Sequence, residues 1–189
     1  MSARVILGVS GASGAVLALA VAEALTALKV EIDLVMSSAA KLTFATEADE
    51  GALERLQGMA TRSHAIGNVG AAIASGSAPS AGMIVAPCSM RSLAAIANGL
   101  DDNLLVRAAS VQLKERRPLV LLAREAPLTL AHLRNMTAVT EMGGIILPPV
   151  PAFYLKPQGV AEIARQIGAR AVDLLRLGPP QAQSWSQEP

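Results

Sequence analysis

Cysteine, histidine and net charge are all scarce in this chain, and each shortage excludes a class of protein. The single cysteine, Cys88, cannot form an internal disulfide, which agrees with a reducing cytoplasm, and we expect it to be a small buried residue. Only His64 and His132 accompany it, so ligands for a metal cluster are too few and we expect no metal site. Sixteen basic against fifteen acidic residues give a net charge of +1, which provides no general field to attract nucleic acid.

Long apolar runs are missing as well. No continuous apolar stretch reaches the roughly 18 to 20 residues that a membrane-spanning helix needs, so we expect no membrane span. The amino terminus reaches a predicted strand at residue 4 without the basic segment, apolar core and cleavage site of a secretory signal, and we expect a cytoplasmic protein. Hydrophobic residues nevertheless make up 52% and charged residues only 16%, which favours burial of part of the surface between subunits.

The order of apolar and polar segments predicts one α/β domain. A length of 189 residues suits a single domain, which we place at residues 1–177, followed by a polar, proline-rich tail at 178–189. Helical patterns over residues 15–28 and 158–175 alternate with short β-branched runs. Five strands are predicted, at residues 4–9, 32–36, 82–86, 119–123 and 144–147, with Pro87 ending the third. Strands separated by helices favour a doubly wound, mainly parallel sheet.

Three predicted strand ends carry glycine and serine, and ligands of such sheets bind beyond the strand carboxyl ends. The turn at residues 11–14 offers backbone amides to a phosphate, although glycines chosen only for their backbone angles would look the same. Ser37 and the stretch Ser89, Met90, Arg91 and Ser92 repeat that arrangement, with ordinary helix capping as the alternative. Three such helix starts at one sheet edge favour a phosphate-bearing ligand, to which Arg91 adds a positive contact.

Much of the charge falls between residues 107 and 125. Arg107 and Lys114 are two helical turns apart, so both side chains point the same way and are candidates to bind one phosphate. A solvated helix face is the alternative explanation for residues 115–117. Arg124 and Glu125 directly follow a strand, where they would bind an anion and move a proton, or else form a structural ion pair.

Several single residues stand out from their surroundings. Glu47 lies near the end of a predicted helix, where the helix dipole disfavours a carboxylate, and that mismatch hints at a function. Tyr154 is by default a core ring or a turn anchor, whereas Trp185, alone in the polar tail, is either disordered or a lid. We assign His64 and His132 to the surface or to packing.

Five segments together resemble the UbiX-type flavin prenyltransferases, in the same order and with matching spacing over essentially the whole chain. They are "SGASGA", "MSSAAKLTFATE", "PCSMRSL", "LKERRPLVLLAREAPL" and "PPVPAFYLKPQ". The resemblance implies a flavodoxin-like three-layer α/β sandwich that assembles as a homododecamer and binds FMN at subunit interfaces without a metal. It also implies transfer of a dimethylallyl group from dimethylallyl phosphate to reduced FMN, which supplies prenylated FMN to a UbiD-type decarboxylase.

The same resemblance implies roles for individual residues. The implied FMN site comprises Gly11, Ala12, Ser13, Ser37, Ser89, Met90, Arg91, Ser92 and Arg124. The implied prenyl phosphate site comprises Arg107, Lys114, Tyr154 and Arg170, with Trp185 matching a tryptophan near the family's carboxyl end. An allylic phosphate leaves only if its negative charge is stabilised, which suits Lys114 and its basic neighbours. The implied candidates for proton movement are Ser13, Glu47 and Glu125.

Three positions depart from the family pattern. Leu17 stands where relatives often carry an aromatic ring, which affects flavin or prenyl packing. Ser110 replaces a usual aspartate, and Gly159 replaces a common serine that would cap the last helix. We expect the last two to affect stability rather than chemistry.

Two competing functions share the expected fold. A flavin-dependent cysteine decarboxylase relies on a catalytic histidine, and neither His64 nor His132 lies in a matching motif. A non-catalytic flavin carrier would have the same pocket without any need for Lys114, Glu125 and Tyr154. Turnover with reduced flavin and dimethylallyl phosphate separates both alternatives from the enzyme.

Overall fold

Six parallel strands form one sheet in the computed structural model, which describes residues 3–185. The strands are β1 (Arg4–Val9), β2 (Glu31–Met36), β3 (Arg62–His64), β4 (Gly82–Cys88), β5 (Leu119–Ala123) and β6 (Ile145–Ile146). Their order is β3-β2-β1-β4-β5-β6, so the direction of winding reverses between β1 and β4. The predicted doubly wound sheet is confirmed, and the reversal marks the point where such sheets bind ligands.

Helices cover both faces of the sheet. They are α1 (Ala15–Ala27), α2 (Ser38–Glu47), α3 (Ala52–Met59), α4 (Met90–Ala97), α5 (Leu104–Lys114), α6 (Leu130–Glu141) and α7 (Val160–Asp173). One hydrophobic core lies between the sheet and α1, α2, α3 and α7, and a second lies beneath α4, α5 and α6. Alternate residues of β1 enter the two cores, with Val5 and Leu7 on one side and Ile6 on the other. The result is the three-layer sandwich of the flavodoxin-like class.

The sequence prediction missed one strand and misplaced several ends. β3 has the sequence RSH and pairs with β2 through Asp33 and Arg62, so it has no apolar run that would predict a strand. The prediction that Pro87 ends the third strand is wrong, because β4 continues through a cis Ala86–Pro87 peptide to Cys88. β6 and α7 are each shorter than predicted, which reflects the weak sequence signal of element ends.

The tail predicted from residue 178 lies against the body of the protein as far as Trp185. Its backbone is hydrogen-bonded to two side chains of α7, Gln166 and Asp173. Residues 186–189 of that predicted segment lie outside the described part of the chain. Within residues 3–185, no helix combines the length and the hydrophobicity needed to cross a membrane.

The start of α7 lacks a side-chain cap, and a serine there is expected to stabilise the protein. Gly159 is the N-cap residue in an extended conformation, and a side chain at this position would meet open space. We expect Gly159→Ser to raise the free energy of unfolding by about 1 kcal/mol relative to Gly159→Ala, because only serine offers an oxygen to the first-turn amides. Urea unfolding of both variants measures this difference, and equal stabilities would contradict a capping effect.

Candidate active site

Backbone hydrogen bonds join the loops that follow β1, β2, β4 and β5. The amide of Ser37 donates to the carbonyl of Val9 at 2.9 Å, and the amide of Ser10 donates to the carbonyl of Pro87 at 3.2 Å. The amide of Arg124 donates to the carbonyl of Cys88 at 3.1 Å. The predicted polar strand ends therefore form one continuous edge of the sheet.

Ser10 holds the two central loops of this edge together. Its side chain is only 2% exposed, and its hydroxyl donates to the carbonyl of Pro87 at 2.8 Å while accepting from the amide of Ser89 at 2.7 Å. A buried hydroxyl that both donates and accepts a hydrogen bond fixes the β1 loop against the β4 loop. Sequence reasoning assigned Ser10 no role, because nothing local to the turn identifies the distant carbonyl and amide as its partners.

The glycine-rich turn at residues 11–14 is sterically confined. A Cβ atom on Gly11 would lie 2.3 Å from the Cβ of Ala39 at the start of α2, and Gly14 has a φ of 117°. Leu17 is buried directly beneath Gly14. Both glycines are therefore required by packing and backbone conformation, and this close approach also keeps Ala12 and Ser13 at the ligand edge.

Glu47 closes α2 and caps α1 with its carboxylate. Its Oε2 accepts from the amide of Gly14 at 2.7 Å and from the amide of Ala15 at 3.3 Å. A carboxylate at a helix amino terminus is electrostatically favoured, so the mismatch seen in α2 is resolved by α1. Burial raises the pKa of Glu47. Hydrogen bonds from Gly14, Ser13 and Ala15, together with the charge of Arg124, lower it by more, so the pKa lies below the ordinary value of 4.5. Ser13, Glu47 and Arg124 thus form one electrostatic group.

Replacing Glu47 with glutamine is expected to destabilise the protein at neutral pH and to have little effect in acid. Because the pKa of Glu47 in the folded protein is below its ordinary value of 4.5, the stabilising contribution is complete above that pH. It is lost as the pH falls through the lower folded value. Urea midpoints between about pH 7 and about pH 3 measure the effect. Glu50→Gln, at an exposed position, is the control, and a constant difference across that range would contradict the assignment.

The serines at the other two helix starts act as caps. The hydroxyl of Ser37 accepts from the amide of Ala40 at 3.1 Å, and that of Ser89 accepts from the amide of Ser92 at 3.3 Å. Met90 opens α4 and is half-buried, whereas Arg91 is exposed and pairs with Asp102. The capping alternative is therefore confirmed for both serines. Capping leaves other first-turn amides without intrahelical partners, so it does not exclude a ligand.

Arg124 and Glu125 follow β5 with exposed side chains. Glu125 accepts from the amide of its neighbour Ala126 at 3.1 Å. Across residues 3–185, neither side chain takes part in an ion pair, so the alternative of a structural ion pair is wrong. A guanidinium and a carboxylate remain available to a ligand at this edge.

Arg107 and Lys114 do not converge on one position. Arg107 donates from Nη1 to Asp101 at 2.7 Å and from Nε to the carbonyl of Ala74 at 3.2 Å. Lys114 is the last residue of α5 and pairs with Glu115. The chain passes from the end of α5 directly into β5, so Lys114 lies near the amino ends of the parallel strands. Arg124 follows the carboxyl end of β5, and this strand is about 16 Å long. One subunit therefore leaves Lys114 and Arg124 at opposite edges of the sheet.

Tyr154 and Arg170 line a cavity of about 460 Å³ beside the end of β6. Leu147 and Pro148, which follow that strand, form its apolar wall, so the cavity belongs to the same edge as the loops above. The ring of Trp185 meets the ring of Tyr154 edge to face, with centroids 5.0 Å apart. The lid interpretation of Trp185 therefore has a structural basis.

The cysteine and the two histidines have structural roles. Cys88 is fully buried, and burial raises the pKa of its thiol to about 12, which keeps it neutral and unreactive. His64 is half-buried and lies 2.8 Å from a carboxylate oxygen of Asp33. His132 exchanges hydrogen bonds with Thr129 in the cap of α6. The assignment of both histidines to the surface or to packing is confirmed.

A parallel sheet with a switch point, capped helix starts and an arginine at its carboxyl edge that makes no ion pair within residues 3–185 defines a nucleotide-cofactor-binding α/β protein. The chain belongs to the Flavoprotein family, whose profile matches residues 1–168, and within it to the UbiX-type flavin prenyltransferases. Flavin prenyltransferase UbiX of Thauera aromatica is 50% identical over 183 residues, which cover 97% of this chain and 94% of that protein.

Two solved structures have the same fold over nearly their full length. AnUbiX, in complex with FMN and dimethylallyl pyrophosphate, is 44% identical with a TM-score of 0.94 and 98% coverage of both chains. A dodecameric FMN-dependent UbiX-like decarboxylase from Escherichia coli O157:H7 is 43% identical with a TM-score of 0.92, covering 97% of this chain and 99% of that one.

Proposed function

We propose that this protein transfers a dimethylallyl group from dimethylallyl phosphate to reduced FMN and so makes prenylated FMN. The observation that carries the proposal is the juxtaposition of two half-sites at one sheet edge. The first is the Ser13, Glu47 and Arg124 group beside three helix starts, and the second is the cavity that contains Arg170 and Tyr154. The first half-site suits a flavin phosphate, and the second suits a departing allylic phosphate.

The chain's own residues fit FMN. Arg124 is exposed at the carboxyl edge of the sheet and has no ion-pair partner among the described residues, so its guanidinium is available to an anionic group. Glu47 already takes the first amides of α1, so the starts of α2 and α4 are the places we assign to the FMN phosphate. The residues we assign to FMN are Gly11, Ala12, Ser13, Ser37, Ser89, Met90, Arg91, Ser92 and Arg124.

Reduced FMN supplies the electron-rich ring that accepts the dimethylallyl group. As the carbon–oxygen bond of the donor breaks, the phosphate leaves with the electron pair, and we assign stabilisation of its charge to Arg170 and Tyr154. When reduced FMN is bound, a ring nitrogen would take the group first and give up one proton. Closure at the adjacent carbon would require the alkene of the group to take up a proton and that carbon to give one up, so it would release no further proton. We assign proton movement to Glu125, Glu47 and Ser13, which lie at the flavin side of the edge. Leu147, Pro148 and their apolar neighbours limit water at the reacting carbon.

The site is proposed to be completed by a second copy of the chain. Lys114 lies toward the edge opposite Arg124, so it reaches the donor phosphate only from a neighbouring subunit, and we assign Arg107 to the same role. Val150 and Phe153 are 68% and 73% exposed beside the donor cavity, the cavity that contains Arg170 and Tyr154. Such exposure is unusual for large apolar side chains, so it supports a subunit interface. A homododecamer, as in the relative from Escherichia coli O157:H7, satisfies both observations. A UbiD-type decarboxylase is the proposed recipient of the product.

Mass spectrometry of the flavin tests the proposed function. After anaerobic incubation with reduced FMN and dimethylallyl phosphate, we expect the flavin mass to increase by one dimethylallyl group less one proton. Dimethylallyl alcohol, which lacks the phosphate leaving group, is the control and should leave the flavin unchanged. An unaltered flavin that stays bound in stoichiometric amount would instead identify a carrier.

A further inference from the structure

The last described residues, 181–185, form a strap that lies across α7. Both carboxylate oxygens of Asp173 accept backbone hydrogen bonds from the strap, one from Gln181 at 2.8 Å and one from Ala182 at 3.0 Å. Gln166 makes a reciprocal pair with Gln183, donating to its carbonyl at 2.9 Å and accepting from its amide at 3.0 Å. Four hydrogen bonds from two side chains thus hold the strap.

Arg170 lies between the two anchors. Positions 166, 170 and 173 are spaced by four and three residues, which places all three side chains on one face of α7. The strap therefore passes beside Arg170, whose side chain stays exposed. Ala182, Gln183 and Ser184 line the cavity that also contains Arg170 and Tyr154, so the strap is one wall of the donor site.

The strap also takes up the hydrogen-bonding capacity of Asp173, the acidic residue nearest to Arg170 on this helix face. Asp173 is three residues from Arg170, a spacing at which opposite charges on a helix normally pair. Both of its oxygens instead face the amides of Gln181 and Ala182, and Arg170 makes no ion pair with any residue in the range 3–185. The docked strap thus keeps the guanidinium of Arg170 available to an anion.

We infer that Asp173 and Gln166 are positioning residues that couple closure of the strap to the charge of Arg170. With the strap docked, Trp185 rests on Tyr154, the donor cavity has its outer wall, and Arg170 is free to bind the phosphate. With the strap released, the carboxylate of Asp173 is free to pair with Arg170 and weakens phosphate binding. This inference rests on the proposed function, in which Arg170 binds the donor phosphate.

The first test uses the single tryptophan of the chain, which lies in the strap. Without flavin or donor, Asp173→Ala and Gln166→Ala are expected to increase quenching of Trp185 emission by acrylamide and to speed chymotrypsin cleavage after Trp185. Glu23→Gln, at an exposed position of α1, is the control and should change neither. Unchanged quenching and cleavage in both anchor variants would overturn the anchoring role, whatever the enzyme does.

The second test separates the coupling from a simple loss of the cavity wall. In the full-length chain, Gln181→Pro with Ala182→Pro removes the two amides that bind Asp173 and leaves the carboxylate in place. We expect the affinity for dimethylallyl phosphate, measured by calorimetry, to fall about tenfold. Adding Asp173→Ala to this variant should recover part of the affinity, whereas the same substitution in the wild-type chain should reduce it.

The outcomes distinguish the inference from the function on which it rests. A further loss of affinity on adding Asp173→Ala to the double-proline variant would overturn the coupling to Arg170. A wild-type protein that binds dimethylallyl phosphate but leaves the flavin mass unchanged would contradict the proposed function, while the calorimetric comparison still decides the coupling. Wild-type protein without measurable binding of dimethylallyl phosphate would overturn both.

Discussion

Lys114→Met is expected to lower kcat/KM for prenylated FMN formation by about 100- to 1000-fold, the usual effect of removing one group that stabilises charge in a transition state. Methionine keeps the length and apolar character of the side chain but not its charge, so the loss reports on the departing phosphate. Arg116→Gln, two residues further on and exposed, is the matched control and should remain within about twofold of the wild type. A Lys114 variant with wild-type activity would remove this residue from the mechanism.

A mixing experiment tests where Lys114 acts. Arg124→Ala removes the cation that we assign to the flavin site, so this variant is also expected to be inactive. If Lys114 serves the site of a neighbouring subunit, assemblies co-expressed from equal amounts of both variants regain activity. About a quarter of their sites combine an intact Arg124 with an intact Lys114. Mixed assemblies that stay inactive would place both residues in the site of one subunit.

Gly168→Val is expected to lower the free energy of unfolding by about 3 kcal/mol or more, because a well-packed helix contact cannot absorb the added atoms. A Cβ atom on Gly168 would lie 2.7 Å from the backbone carbonyl carbon of Ala20 and 2.9 Å from the amide nitrogen of Val21. Backbone atoms cannot move aside as a flexible side chain does, so α1 and α7 must separate. In a chain of this size the expected loss lowers Tm by roughly 6 to 12 °C.

Separation of these helices would also affect the donor site. Arg170 is two residues beyond Gly168, so a displaced α7 moves its guanidinium away from Tyr154, and the remaining activity should show a raised KM for dimethylallyl phosphate. Gly58→Ala in α3 is the control, because a Cβ atom there meets open space and alanine favours the helix by about 1 kcal/mol. Unfolding followed by circular dichroism measures both variants. A Gly168→Val protein as stable as the wild type would show that the two helices are not in close contact.

Comparison of β3 with the other strands shows how much of the sheet the local sequence pattern could predict. β1, β2, β4 and β5 are buried on both sides and mostly apolar, with Asp33 of β2 as a buried exception, so their residues alone predict them. β3 has only Arg62, Ser63 and His64, and exists because β2 provides hydrogen-bonding partners at the edge of the sheet. A strand whose stability comes from its neighbour carries no signal of its own.

Glu47 shows the same limit within the candidate site. The sequence showed that its carboxylate is electrostatically unfavourable at the end of α2, and this is correct for α2 taken alone. The structure supplies the reason, because Glu47 caps α1 from a position 33 residues further along the chain than Gly14. The opposite case is Arg107 with Lys114, where spacing on one helix predicted convergence and the fold directs the two side chains to different partners.

The sequence by itself determined the sandwich, the capped helix starts and the family, since these depend on periodicity and on short motifs that act over a few residues. Only the tertiary structure decided which groups meet: Ser10 with the β4 loop, Glu47 with α1, and the strap with Asp173 and Gln166. It also decided that Lys114 and Arg124 lie at opposite edges of one subunit. Contacts between residues distant in sequence depend on how the layers pack, and packing is a property of the whole chain rather than of any segment.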